Sequence, residues 1–233
     1  MNVPAADPAS DAARAAPGDA ARDPDPAGEG LLRPALSLFL LLSVVTGLAY
    51  PLLVTGLAQA LFPWRASGSL VTSDLRTVGS ELIGQGFAGP AYVHPRPSAA
   101  GQGWDAMNSG GSNLGPTSKA LHDRVAAEAA RLRIENPEAP AEVPAELVTT
   151  SASGLDPHLS PGAALWQIPR IARSRGLDVA RVEAVLREHL EGRDLGFLGE
   201  PRLNVLSVNL ALDRRFGTPP GAAAGPPSAP GPR

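Results

Sequence analysis

From Pro34 to Trp64 the chain carries no charged side chain, and Arg33 and Arg65 bound this run on either side. Crossing the ~30 Å hydrocarbon core of a bilayer takes about 20 apolar helical residues. Leu36 to Leu57 supplies them, with Leu, Val, Ala and Phe at most positions. The continuation to Phe62 accommodates tilt, and Trp64 is the kind of residue that anchors at a membrane interface. Pro51 lies inside the run and predicts a kink. The pieces on either side of it each fall short of about 18 residues, which argues against two crossings. A cleaved signal peptide would have an apolar core of about 7–15 residues followed by a small-residue cleavage site. This run is too long for that, so residues 32–64 are read as a retained transmembrane helix. Gly47 and Gly56, with Ser43 and Thr46, offer small side chains for close helix packing, although the glycines lack GxxxG spacing. Gly47 is the candidate for partner contact within the bilayer. Charge does not orient the anchor, because Arg22 and Arg33 flank one end and Arg65 and Arg76 the other.

The two ends of the chain differ from the rest. Residues 1–31 are mostly Ala, Pro, Asp and Gly, and residues 217–233 repeat that bias without the charge. Neither can bury enough apolar surface to offset an ordering entropy of roughly 1–2 kcal/mol per residue. Both are expected to be disordered tails. The formal net charge is −3 and Lys119 is the only lysine, so no basic cluster exists to engage a phosphate backbone. Nucleic acid is therefore not an expected partner. The absence of cysteine removes disulfides and thiolate metal sites but fits either side of a membrane.

What remains, residues 65–216, is the size of one soluble domain. Short apolar stretches at Ser69–Leu75, Glu81–Ile83 and Ala91–His94, set between Gly, Pro and Ser, predict strands. Arg96 to Ser118 is nearly all Pro, Ser, Gly and Asn, with Trp104, Met107 and Leu114 to pack, and reads as an ordered interaction loop. Thr117 or Ser118 can cap a helix running through Arg133, with Leu121, Val125, Ala129 and Leu132 on one stripe. A second helix starts at a Ser160 cap followed by Pro161, carries Trp166 and Ile171, and stops at Gly176, with Pro169 bending it. A third runs from Asp178 to Leu190 on a stripe of Val182, Val185, Leu186 and Leu190. Leu203 to Leu212 alternates apolar and polar residues and predicts a strand. The fold class is α+β: one N-terminal transmembrane helix, then a single mixed domain.

Motifs for chemistry are sparse. Gly84-Gln85-Gly86-Phe87-Ala88-Gly89 fits GxGxxG, but Pro90 and a strand-like segment follow where a dinucleotide site needs a helix. Gly110 to Gly115 has the spacing of a phosphate loop, yet Pro116 and Thr117 stand where that motif requires Lys and Ser/Thr. Ser109-Gly110-Gly111 is also similar to the signature loop of ABC-type transport ATPases, which makes Ser109, Gly110, Gly111 and Asn113 a candidate nucleotide loop. A turn-rich packing loop explains the same residues, since Gly and Asn are default turn formers. The histidines, His94, His122, His158 and His189, show no close ligand spacing, so no metal site is expected. There is no GxSxG elbow, and no Asp-Lys-Thr-Gly of the kind that P-type pumps phosphorylate. No catalytic residue is assigned.

Several segments, in order, resemble the C subunit of the Kdp potassium-transporting ATPase. They include Leu32-Arg33-Pro34-Ala35, Gly47-Leu48-Ala49-Tyr50-Pro51, Gly68-Ser69-Leu70 and Leu82-Ile83-Gly84-Gln85. Further along come Arg96-Pro97-Ser98-Ala99, Ser109 to Pro116, Ser151 to His158, Leu198-Gly199-Glu200-Pro201 and Asn204 to Asp213. The resemblance covers about Leu32 to Asp213. Its departures are local: Pro95 and Ser67 stand where other residues are expected, and Pro169 interrupts a helix.

The resemblance implies a bacterial inner-membrane subunit with a cytoplasmic N-terminus and a periplasmic domain, in a complex that imports potassium using ATP. Its partners would be the pump (B) subunit, the potassium-channel (A) subunit and the lipid bilayer. The family is described as a catalytic chaperone that raises the ATP affinity of the pump subunit, so ATP would act through the complex and no cofactor of the chain's own is expected. A domain outside the membrane does not reach cytoplasmic nucleotide, which makes that effect a coupling between states; a domain facing the cytoplasm would let the Gly-rich loop touch nucleotide directly. Arg96, Ser98, Ser151, Ser153 and Asp156 are the expected partner contacts of the domain. The competing class is a stand-alone membrane-anchored extracytoplasmic enzyme or binding module.

Overall fold

The computed structural model describes residues 30–73 and 75–219. The tails expected at 1–31 and 217–233 lie almost wholly outside the described residues. The chain divides into two units, one ending at Ala60 and one beginning at Leu61.

The described part of the first unit is one continuous helix. α1 (Leu32–Val44) passes through a π-helical turn (Val45–Ala49) into α2 (Tyr50–Leu61). The turn has a local cause. Pro51 has no N–H, and its ring crowds the carbonyl four residues earlier; the helix widens just before it, with Tyr50 N–H donating to Val45 O, five residues back. Ser37 and Thr46 return their hydroxyls to Arg33 O at 2.8 Å and Leu42 O at 2.7 Å, so neither presents an unsatisfied donor to an apolar medium. The 30 residues from Leu32 to Leu61 are long and apolar enough to cross a membrane, and rise about 45 Å. Their large apolar side chains are exposed throughout.

In the second unit, a short α3 (Pro63–Ala66) precedes an antiparallel hairpin, β1 (Leu70–Ser73) and β2 (Arg76–Ser80), whose register shifts between Val71 and Thr72. Then comes a long stretch without repetitive structure, broken by a 3-10 turn at Ala106–Asn108. α4 (Lys119–Glu135) starts where Ser118 Oγ accepts from Leu121 N. A three-stranded antiparallel sheet of order β3-β5-β4 joins β3 (His158–Leu159), β5 (Arg202–Asn204) and β4 (Leu190–Glu191). α5 (Pro161–Trp166), α6 (Ile168–Arg175), α7 (Val179–Glu188) and α8 (Val205–Phe216) complete the unit, which is α+β. Its core joins Val93, Leu159, Ile171, Val182, Leu186, Leu203, Val208 and Leu212, all nearly solvent-free.

Four sequence expectations are corrected here. Leu203–Leu212 is not a strand: pairing stops at Asn204, whose side chain accepts from Ser207 N and starts α8. The helix hides its own period, because Val205, Leu206, Val208, Asn209, Leu210, Ala211 and Leu212 are all buried and leave little polar face. The helix expected over 160–176 is two helices, because Pro169 has no N–H for Leu165 O and the chain breaks at Gln167. Glu81–Ile83 is a turn; Ala91–His94 begins in a turn, where Tyr92 N donates to Gly89 O at 3.1 Å, and continues without a strand partner.

Side chains supply what a sheet would have given Ala91–His94. Arg170 donates to Pro90 O at 2.6 Å and Tyr92 O at 3.0 Å, and Arg175 to Ala91 O at 2.8 Å. Asn209 donates to Val93 O and accepts from Val93 N, and Gln167 does the same for His94. Five successive carbonyls are thus satisfied by α5–α6 and α8. This mooring fixes the chain that leads directly into Arg96 and its loop.

Candidate functional site

The segment 150–158 is shaped by its own short side chains. Asp156 Oδ1 accepts from His158 N at 3.0 Å and Ser153 Oγ from Leu155 N at 3.1 Å, two side-chain turns in succession. Pro157 O then takes Val205 N at 3.0 Å, and Ser160 Oγ caps α5 through Ala163 N at 3.4 Å. Gly154 has φ +67, and a Cβ there would stand 2.7 Å from both Ala100 N and Gly110 O. Only glycine fits this crossing of three backbones.

The loop after Arg96 is fastened to that segment. Arg96 Nη1 meets Asp156 Oδ2 at 3.2 Å, and Nη2 donates to Thr150 O at 3.4 Å. Ser98 Oγ donates to Gly154 O at 2.7 Å and accepts from the amides of Ala100 and Trp104. Gly110 N and Ser109 Oγ both donate to Ser153 O, at 2.9 and 3.0 Å. Gly111 passes so close that a Cβ would stand 3.0 Å from Ala152 O. The ion pair is partly solvated and worth about 0–1 kcal/mol by itself; the shape rests on the hydrogen bonds as a set.

Arg96, Ser98, Ser109, Gly110, Gly111, Ser151, Ser153 and Asp156 therefore form one cluster. Asn113 is further along the same loop, exposed, with φ +52. Gly47 belongs to the other unit, where a Cβ would meet nothing within 4 Å. The outward side of the loop carries Met107, 90% exposed, beside the 3-10 turn that Asp105 caps through Met107 N. Hydrogen bonds from Asn108 Nδ2 and Met107 N hold the Asp105 carboxyl below its ordinary range. The amide of Gly110 is already occupied by Ser153 O, which leaves the Gly-rich stretch one donor fewer for an anion.

Sequence reasoning missed the groups that hold the cluster in place. Trp104 packs so tightly on Gly86 that a Cβ there would stand 2.8 Å from its ring. Gly84 N donates to Leu155 O at 2.7 Å, and a Cβ on Gly84 would stand 2.7 Å from Asp156 O. His94 and Arg170 form the moored base; burial first, then the Arg170 charge, draws the His94 imidazole down to about 4, against a weaker opposing bond to Gly89 O. Burial likewise draws the Arg170 guanidinium down to about 10. The available signal was Gln167, Arg170 and Asn209 standing among apolar helix positions.

Comparison with known proteins gives this cluster a family. The KdpC family, described as K+-transporting ATPase, c chain, matches residues 32–214. The potassium-transporting ATPase KdpC subunit of Myxococcus xanthus is 62% identical over 192 residues, covering 82% of this chain and 91% of that protein. That of Rhodospirillum rubrum is 57% identical over 185 residues, covering 79% and 96%. That of Methylobacterium nodulans is 54% identical over 198 residues, covering 80% and 98%. The matched region takes in the apolar helix, both fastened loops and most of α8, and the chain belongs to the KdpC family, the c chain of K+-transporting ATPases.

Proposed function

We propose that the chain is a non-catalytic accessory subunit of an ATP-driven, high-affinity potassium import complex, anchored by its apolar helix and docked on the larger subunits through its soluble unit. The observation that carries this reading is the fastening of loop 96–118 to segment 150–158 by Arg96, Ser98, Ser109 and Gly110. Loops this polar hold a fixed shape because each satisfies the other's backbone. The outcome is a pre-organised surface that presents Met107 and Leu114 within a polar surround, the composition expected of a docking patch.

In this reading the N-terminus is cytoplasmic, the domain is periplasmic, and its neighbour is the potassium-channel (A) subunit on the side from which potassium arrives. The oxygen groups of Ser151, Ser153 and Asp156 suit a hard cation on its approach. A rise in the ATP affinity of the pump (B) subunit is then a coupling between states of the complex. The occupied Gly110 amide supports that route over direct nucleotide contact by Ser109, Gly110, Gly111 and Asn113.

The test is affinity purification of the tagged chain from intact membranes with identification of the co-purifying chains. Pump and channel subunits in fixed ratio support the proposal. A chain that comes out alone supports the stand-alone membrane-anchored module instead. A reporter active only outside the cytoplasm, fused after Arg233, tests orientation, and a stable but silent fusion overturns the periplasmic placement.

A further inference from the structure

Beside the moored segment and one face of α4 lies a cleft of about 340 Å³, within the size range of small-ligand sites. Phe87, Trp104, Leu132, Leu147 and Val148 give it apolar walls. Nearly all its polar groups are already engaged. Ser98 Oγ has one acceptor and two donors around it, Gln167 is spent on the His94 backbone, and Arg131 is ion-paired with Glu128 and Glu135.

Arg124 is the exception. Among the described residues its guanidinium makes no hydrogen bond and no ion pair, and its Nε is buried without a partner. A buried donor without an acceptor is costly and calls for an explanation. Glu128 on the same wall is taken by Arg131, which also holds Glu135, so Arg124 offers the cleft a guanidinium that no carboxylate engages. Trp104, on the loop after Arg96, holds the left-handed backbone conformation, φ +51, with its N–H donating to Ser98 Oγ at 2.8 Å. Such conformations persist where the surroundings over-determine them, as at ligand clamps.

We propose that this cleft binds a carboxylate carried on a compact apolar or aromatic body. Arg124 takes the carboxylate through its planar fork of donors, and Trp104 and Phe87 receive the body. The carboxylate comes either from a free small molecule or from a side chain of a neighbouring subunit.

Benzoate is the probe and benzamide its uncharged control. The full chain is labelled with 5-fluorotryptophan in lipid nanodiscs, and the Trp104 fluorine resonance is assigned by Trp104→Phe among the three tryptophans. Benzoate should shift that resonance saturably while leaving that of Trp166 in place, and benzamide should not. Arg124→Gln should weaken benzoate about tenfold or more, as expected for a lost charge-assisted hydrogen bond, with Arg124→Lys falling between. No saturable shift, an equal response to benzamide, or unchanged affinity in a folded Arg124→Gln chain overturns the proposal. Repeating the titration on the chain purified with its partner subunits separates the sources: a retained shift means a free small carboxylate, and a site closed to benzoate only in the complex means a subunit's side chain. The readout needs no transport activity, so it can fail while the accessory-subunit reading stands.

Discussion

Asn209 on α8 satisfies both backbone groups of Val93, accepting from its amide at 2.8 Å and donating to its carbonyl at 2.9 Å, across a sequence separation of 116 residues. Both residues are almost solvent-free. One side chain here does the work of a missing strand neighbour.

Asn209→Leu should accordingly destabilise the soluble unit by about 1–3 kcal/mol for each backbone group left unpaired. Thermal unfolding followed by near-ultraviolet circular dichroism measures it. An unchanged midpoint would mean that water replaces the amide and that the mooring is not structural.

Gly154→Ala and Asp156→Asn separate shape from charge in the candidate site. The alanine Cβ meets backbone atoms at 2.7 Å on two sides in a positive-φ conformation, so the loops should part and segment 96–118 should become sensitive to proteolysis. Asparagine keeps the Oδ1 acceptor for His158 N and loses the Arg96 pair, so stability should fall by no more than about 1 kcal/mol. Potassium uptake at limiting potassium should fall for both variants. Normal uptake with Asp156→Asn would confine that residue to turn formation.

His94 gives the unit an acid limit. Its folded-state value, about 4, lies below the ordinary 6.5, so the unfolded chain binds the proton first. The stability associated with neutral His94 is therefore fully present above about 6.5, and is lost as pH falls from there toward about 4, up to about 3 kcal/mol in all. His94→Gln should flatten that part of the stability–pH curve; an identical slope would assign the loss to other groups.

Gly47 sits in the π-helical turn with open space where a Cβ would go. Gly47→Leu should leave the soluble unit's unfolding midpoint unchanged while lowering recovery of associated subunits several-fold. Full recovery would show that this face meets lipid alone.

How much of this was legible in the sequence depended on whether a local signal matched its local cause. The apolar helix was legible because lipid imposes composition over its whole length, and the Ser118 and Ser160 caps because one side chain meets one nearby amide. Gly176, in the left-handed conformation, ended α6 as expected. α8 was misread because burial on nearly every side erased its period, and Ser207 and Asn209 imitated alternation. The two-residue strands β3 and β4 are too short to leave a pattern. In the candidate site, Arg96, Ser98, Ser109 and Asp156 could be singled out one by one under separate expected roles, but their gathering into one cluster was not legible, since the fastening joins carbonyls to side chains far apart in the chain.

Photo-cross-linking from the most exposed large apolar side chain of loop 96–118 tests the accessory-subunit account most directly. With p-benzoylphenylalanine in place of Met107, which is 90% exposed, irradiation of intact membranes should give one dominant adduct with the potassium-channel subunit, and Gly154→Ala should abolish it. No adduct from a folded, membrane-inserted chain, or an adduct confined to cytoplasmic proteins, would contradict the account.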